Sequence, residues 1–323
     1  MNKVTLAICA YNCEQYIEET LTCITNQTFQ NFDLLIVNDC STDNSKEIID
    51  QFFLKNPRQY NLVSFEKNKG LAEGRHYVEN KVKTKYIIFV DSDDCPYPTL
   101  LEKQYNKISS DEDLIAVGCY HKFIDHKSKN ISGGIFLGEK TKEGFYLKAK
   151  NKKLIFMQPT AIIDREALLK VGGRNIKGFF KGKPRYQDLC EDLDLWTRMS
   201  DLYAEGKAIV VLPEVLCKYR KHEQALSSDS LGMITRMRHI KKNLLLRRSG
   251  QMEMSFVDFF NALSQKEWTN LKRKSRAADC MRNGAFLLKK GKVTSGIKNV
   301  LQSIIAEPGY LWKKIKSNSG IFK

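Results

Sequence analysis

"KYIIFVDSDDCPYP", residues 85–98, runs an aromatic and apolar stretch straight into three aspartates within four positions, Asp91, Asp93 and Asp94. A short run rich in Ile, Phe and Val that ends at polar residues predicts a strand buried on both faces. Carboxylates this close repel one another and raise each other's pKa unless a cation neutralises them. The stretch is therefore either a strand that delivers a hard divalent ion to a ligand or a solvated turn ahead of a helix.

Three similar runs precede it, at 4–9 (VTLAIC), 33–38 (DLLIVN) and 61–66 (NLVSFE). Between them lie helical patterns. "CEQYIEETLTCITNQ" puts Tyr16, Ile17, Thr20, Leu21 and Ile24 on one face, "STDNSKEIIDQFFLKN" begins with cap-forming Ser and Asp, and "GLAEGRHYVENKV" follows a Gly turn. Strictly alternating strands and helices predict an α/β fold: a mainly parallel sheet with right-handed crossovers and helices on both faces. Ligands of such sheets bind beyond the carboxyl ends of the strands. There the chain places Ala10, Tyr11 and Asn12, then Asp39, then the "KNKG" loop with Lys67 and Lys69, then Asp91 to Asp94.

Beyond residue 114 the pattern is mixed. "LIAVGCY" and "GIFLG" (134–138) read as strands, and "LIFMQPTAIIDREALLKVGG" leads through Asp164 into a short helix stopped by Gly172 and Gly173. "CEDLDLWTRMSDLYAEG" is a helix with Leu193, Trp196, Met199 and Leu202 or Tyr203 on one face, and "AIVVLPEVLCKYRKH" reads as one last strand or strand pair. After about residue 230 the chain reads as helical, broken at Gly250, at Asn283-Gly284 and at "EPGY" (307–310).

Several groups carry chemistry. Oxygen ligands such as Asp91 and Asp93 suit Mg²⁺ or Mn²⁺, which keep positions open for phosphates. Asp39 is placed to bond a base or ribose, or to serve its turn. Arg75, in the first turns of a helix, and Lys69 suit a diphosphate. Glu191, Asp192 and Asp194 either satisfy a helix N-terminus or include a general base. His222, after the last strand, is structural or sits beside a phosphate or metal. No GxGxxG and no GxxxxGK[ST] occurs, so dinucleotide and P-loop sites lack their fingerprints.

Composition sets outer bounds. The 323 residues are 42% hydrophobic and 28% charged, ordinary for a globular chain. No apolar run reaches the roughly 18 to 20 residues of a bilayer span, and the N-terminus lacks an export signal, so the expectation is a cytoplasmic protein. Nine scattered cysteines without a CxxC pair are expected to be small, reduced and semi-buried. Residues 236–323 hold 20 of the 53 Lys and Arg against 5 of the 37 Asp and Glu, which leaves a near-neutral body.

Taken together, "ICAYNCEQYIEETLTCITNQTFQNFDLLIVNDCSTDNS", "NKGLAEGRHYV", "YIIFVDSDD", "QPTAIIDREALLKVGG", "EDLDLWTRM" and "YRKHEQALSS" resemble, in order, the inverting nucleotide-sugar glycosyltransferases of family 2, which have the GT-A fold. The resemblance covers residues 3–228. It implies a catalytic domain over 1–230, with a nucleotide-binding half (1–113) and an acceptor-binding half (114–230), followed by a basic helical region (231–323). It implies that Ala10, Tyr11 and Asp39 hold uridine and that Lys69, Arg75, Asp91 and Ser92 meet the rest of the UDP-sugar. Asp93, with Asp91 and His222, would hold the divalent metal. Asp192 would be the general base, with Glu191 beside the acceptor. Where family members commonly carry Asn after the arginine, this chain has His76.

The expected reaction moves a hexose or N-acetylhexosamine to a hydroxyl of a lipopolysaccharide, capsule or lipid-linked glycan. A silent nucleotide-sugar-binding scaffold of the same fold is the alternative. A nucleotidyltransferase would need a Gly-rich triphosphate loop that "AYNCEQY" does not supply. In the tail, "KKNLLLRR", "LKRKSR", "FLLKKGK" and "YLWKKIK" interleave basic and apolar residues. That suits an anionic membrane surface or a solvated helical subdomain. No nucleic-acid motif accompanies the charge, so nucleic acid is not an expected partner.

Overall fold

The computed structural model describes residues 3–222, 226–289 and 291–309. Its first strands are the apolar runs. β1 (Val4–Ala10), β2 (Phe32–Asn38) and β4 (Tyr86–Asp91) are buried almost throughout, while the edge strand β3 (Asn61–Ser64) is half exposed. Continuous burial explains the absence of alternation in the first three. They pair in parallel in the order β3-β2-β1-β4. Crossovers run through α1 (Ile17–Thr25), α2 (Ser45–Lys55) and α3 (Leu71–Lys81). On α1 the residues Ile17, Thr20, Leu21 and Ile24 are buried, the face the spacing marks.

The two-residue strand β5 (Cys95–Pro96) and α4 (Leu100–Ser109) precede a second group of strands. β6 (Leu114–Ile124) runs parallel to β9 (Ala208–Arg220), and β8 (Ile162–Asp164) lies antiparallel between β4 and β6. β5 pairs with β9 and β7 (Asn130–Ile135) with β6, both antiparallel. The strand expected at 134–138 is thus shifted toward the N-terminus: Gly138 has φ +113°, outside the extended region. Between the strands lie α5 (Lys142–Lys150), α6 (Arg165–Lys170) and α7 (Glu191–Met199). Asp164 caps α6 by accepting from the Ala167 amide at 2.9 Å.

The chain divides into two compact units. One comprises Met1–Lys177, Cys190–Ala225 and Ile240–Met252; the other comprises Gly178–Leu189, Leu226–His239 and Glu253–Lys323. The first holds the sheet. α8 (Ser230–Arg247) contributes to both, and the second also contains α9 (Phe256–Asn261), α10 (Gln265–Lys289) and α11 (Val293–Ala306). The break expected at Asn283-Gly284 is absent, because α10 runs through it. A Cβ on Gly284 would come within 2.9 Å of Val300 and 3.0 Å of the Gly296 carbonyl, so this glycine lets α11 pack closely and the turn falls at Gly291, φ +74°.

Two expectations change on the structure. Cys23 and Cys95 form a disulfide across 72 residues, tying α1 to the residue after Asp94. The assumption that all nine cysteines are reduced fails because the fold brings their Cα atoms to 5.5 Å, which no spacing rule reveals. In "KKNLLLRR", Arg247 and Arg248 pair with Asp201 at 2.6 and 2.5 Å and Leu244 is fully buried, so that segment serves the first unit's packing. "YLWKKIK" and residues 223–225 of "YRKHEQALSS" lie outside the described residues.

Candidate active site

The parallel strands deliver their polar ends in register. Cys9 stands opposite Val37 on one side and Asp91 on the other, and Ala10 opposite Asn38. Ala10 is fully buried and its carbonyl accepts from the Asp39 amide at 2.8 Å; Tyr11, next along, is 43% exposed. Asn12 and Cys40 have positive φ, +46° and +59°, so the turns after β1 and β2 are both tightly bent. Asn12 joins them by accepting from the Thr42 amide at 2.8 Å.

Asp39 is buried and already occupied in part. Its two carboxylate oxygens accept from the backbone amides of Lys69 and Gly70 at 2.6 and 2.7 Å, which orders the "KNKG" loop at the entry to α3. Each oxygen keeps further lone pairs for a base or ribose donor. The Lys69 ammonium lies 4.3 Å from the Phe65 ring, and the side chain is exposed.

The aspartates after β4 separate into different roles. Asp94, 1% exposed, accepts from the Arg220 amide at 3.0 Å, and its own amide donates to the Asp91 carbonyl, so it builds the turn. Burial and the neighbouring Asp93 and Asp91 hold its pKa well above the usual carboxylate value. The buried Arg220 guanidinium donates to the Asp93 carbonyl at 2.8 Å and to Glu19 at 2.7 Å, and lies 4.6 Å over the Tyr16 ring. The Ser92 carbonyl accepts from the Thr20 hydroxyl at 3.0 Å. A turn fastened from α1 and β9 leaves Asp93 partly exposed, with Oδ2 2.7 Å from His222 Nε2.

That oxygen and nitrogen are of the kinds that ligate a divalent ion. Among the described residues, no group of three or more His, Cys, Asp or Glu is arranged to hold one. A two-residue set nevertheless fits ions of the Mg²⁺ and Mn²⁺ kind, which complete their shells with water and substrate phosphate. Asp91 is engaged elsewhere: Oδ1 is ion-paired with Arg75. Burial raises the pKa of Asp91, Arg75 opposes the rise, and Asp93 and Glu191 add to it.

Arg75 is 2% exposed and binds Asp91 with one terminal nitrogen and Glu191 with the other. Burial works against its charge, but the Glu191 and Asp91 carboxylates outweigh it and raise the pKa. One guanidinium thus joins the end of β4 to the start of α7. Glu191 also pairs with Arg174, and Arg174 with Glu79. Burial alone would raise the Glu191 pKa; Arg174 and Arg75 reverse this and lower it. Asp192, beside it, is partly exposed and its pKa is pushed up to about 6, by burial first and then by the Glu191 charge. Cys190, which opens α7, sits at φ +54°, a left-handed conformation rare for a non-glycine residue. Trp196 is fully buried and donates to the Met157 carbonyl at 3.1 Å, which makes it a core residue.

Glu79, Arg174, Glu19 and the grip of Arg220 on the aspartate turn escape sequence reading. Glu79 stands at i+4 from Arg75 on α3, but its partner is Arg174, 95 residues away, so that spacing is no signal of its role. Arg174 has none beyond the two glycines before it.

A parallel half-sheet whose strand ends gather Asp39, Asp91 and Asp93, tied by a buried arginine to a Glu-Asp helix start, defines the GT-A fold. The chain belongs to glycosyl transferase family 2, whose model matches residues 5–172, a segment that includes Asp39, Arg75, Asp91 and Asp93. Glycosyltransferase GlyA of Streptococcus pneumoniae is 30% identical over 230 residues, which are 70% of this chain and 32% of GlyA. The putative teichuronic acid biosynthesis glycosyltransferase TuaG of Bacillus subtilis is 27% identical over 222 residues, 68% of this chain and 79% of TuaG. The match thus spans only a third of GlyA. The crystal structure of S. aureus TarS 1-349 in complex with UDP-GlcNAc superposes with a TM-score of 0.56 at 18% identity, covering 96% of this chain and 92% of that one, a likeness of fold.

Proposed function

We propose that this glycosyltransferase moves a hexose or N-acetylhexosamine from a UDP-sugar to a hydroxyl of a bacterial surface glycan, with inversion. The observation that carries the reading is Arg75, one buried guanidinium bonded both to Asp91 of the donor motif and to Glu191 beside Asp192. Residues 1–230 supply catalysis, with Ala10, Tyr11 and Asp39 at the uridine, Lys69, Asp91 and Ser92 along the ribose and diphosphate, and buried Arg75 behind them holding Asp91. Asp93 and His222 hold a divalent cation, Mn²⁺ or Mg²⁺. When bound, it supplies positive charge that stabilises the departing diphosphate.

Asp192 takes the proton of the acceptor hydroxyl as that oxygen attacks the anomeric carbon from the face opposite the nucleotide, which inverts the centre. A carboxylate with a pKa near 6 is a better base than an ordinary one and is still ionised at neutral pH. Glu191, held by two arginines, lies beside the acceptor.

The basic C-terminal region is assigned to an anionic membrane surface at the inner face of the cell membrane, where lipid-linked acceptors are reached. Its support is α11. Val293, Ile297, Leu301 and Ile305 recur every fourth position and are 54, 49, 54 and 80% exposed. Exposed Lys292 and Lys298 flank them, and no Asp or Glu occurs between 280 and 306. No helix among the described residues is long and apolar enough to cross a membrane.

The test is UDP release from UDP-glucose, UDP-galactose and UDP-GlcNAc with Mn²⁺, in wild type and Asp192→Asn. The expected loss in the variant is roughly a hundredfold to ten-thousandfold in kcat. Equal turnover in the two proteins would refute the base assignment.

A further inference from the structure

Five charged side chains form one continuous chain in the first unit, Asp91, Arg75, Glu191, Arg174 and Glu79, buried except at the Asp91 end. The donor motif accounts for one end. Its far half is unexplained. Arg174 and Glu79 have fully buried side chains, far from any surface role, and buried ion pairs are expensive to desolvate.

The local structure is built around Arg174. Gly172 and Gly173 turn the chain out of α6 with φ +86° and +64°. A Cβ on Gly173 would come within 2.9 Å of Glu79 Oε2, so only glycine leaves room for that carboxylate. Glu79 then accepts the Arg174 amide at 2.8 Å through Oε2 and pairs with the guanidinium through Oε1. The guanidinium lies 4.4 Å from the Phe89 ring of β4, and its Nε pairs with Glu191 Oε2, the oxygen that Arg75 does not use. Arg174 Nη2 is buried without a hydrogen-bond partner, while Nε and Nη1 are taken by Glu191 and Glu79.

We propose that Arg174, itself set by Glu79, is a positioning residue: with Arg75 it holds Glu191 as a bidentate anion at the first turn of α7, and so fixes the place of Asp192 and the charge that Asp192 faces. This rests on Asp192 being the base of the transfer reaction. The charged groups acting on Asp192 come from three elements. Glu191, on its own helix, raises its pKa, while Arg75 from α3 and Arg174 from the segment after α6 lower it. Changing Arg174 or Glu79 therefore alters the same local balance with opposite sign, and neither is assigned a contact with the donor.

The signs follow from linkage. An uncharged residue at 174 removes a positive charge, disfavours the Asp192 carboxylate and moves the acidic limb of the pH–rate profile to higher pH. An uncharged residue at 79 removes a negative charge, leaves Arg174 uncompensated on that side and moves the limb to lower pH. A purely structural role predicts reduced rates without opposed limbs.

The experiment measures UDP release against pH, with the UDP-sugars above and Mn²⁺, for the full chain as wild type, R174M, R174K, E79Q and D192N. The expected results are an upward limb in R174M, a downward limb in E79Q, and a limb at the wild-type position in R174K with kcat about tenfold lower and donor KM little changed. Should R174M fail to fold, the E79Q limb decides. Limbs coincident with wild type in the folded variants, with D192N inactive, would overturn the role of Arg174 alone. Full activity in D192N would instead overturn the base assignment on which this one rests, and no turnover by wild type would overturn the proposed UDP-sugar donor.

Discussion

Two regions of this chain use positive charge in opposite ways. At the strand ends, Arg75 and Arg174 are buried and each pairs with two carboxylates. On α10 and α11, arginines and lysines are largely exposed, and where they meet acids the pairs are surface ones, such as Arg282 with Asp279 at 2.7 Å. The difference teaches that charge count says little about charge function. The tail supplies nearly all of the net +16, yet the few arginines of the near-neutral body organise the site.

The comparison breaks most readily at Arg75. Arg75→Met takes the guanidinium from half-buried Asp91 and one of two arginine partners from buried Glu191, and denaturant unfolding is expected to show a loss of about 3–5 kcal/mol. A loss below 1 kcal/mol would show that the cluster is not the tightly paired assembly described. Next is the tail's apolar stripe. Leu301→Asp removes a large side chain from the surface assigned to lipid, about 1.5–3 kcal/mol of binding to phosphatidylglycerol-rich vesicles. Co-sedimentation unchanged by the substitution would remove α11 from that interface. Lys298→Glu should cost about 1–2 kcal/mol of the same binding and make it less salt-sensitive, since each basic residue near headgroups contributes on the order of 1 kcal/mol. The smallest effect belongs to the exposed pair: Asp279→Asn should change stability by no more than about 0.5 kcal/mol. A change as large as that at Arg75 would erase the distinction between the regions.

Much of the frame was legible in the sequence because it rests on local patterns. Apolar runs ending at Ala10, Asn38 and Asp91 gave the parallel strands and the edge where their polar residues gather. The family resemblance, read from collinear motifs, stands on the match to residues 5–172. What stayed hidden is what the fold brings together from afar. Arg75 meets Glu191 across 116 residues, and Arg174 meets Glu79 across 95. Cys23 meets Cys95 across 72. None of these separations leaves a periodic trace.

Asn283-Gly284 misleads for a related reason. The pair is a turn signal by propensity, but here the missing side chain serves a helix–helix contact, so tertiary packing overrides the local preference. Asp39 looks like a free ligand after a strand, yet the structure gives its carboxylate the added task of holding the Lys69-Gly70 backbone. Asp94 is a turn carboxylate because Arg220, 126 residues later, donates its amide to it.

The central claim is that Asp192 acts as an ionised base whose proton affinity the buried cluster sets. The most direct test is the pH dependence of UDP release by the wild-type chain, with Asp192→Asn alongside. Because the group is active when deprotonated and its pKa lies near 6, kcat/KM should rise with pH through about 6 and level off above it, and the rise should vanish with the activity in the variant. A wild-type profile flat from pH 5 to 8, or a variant that keeps both the rate and the limb, would contradict it.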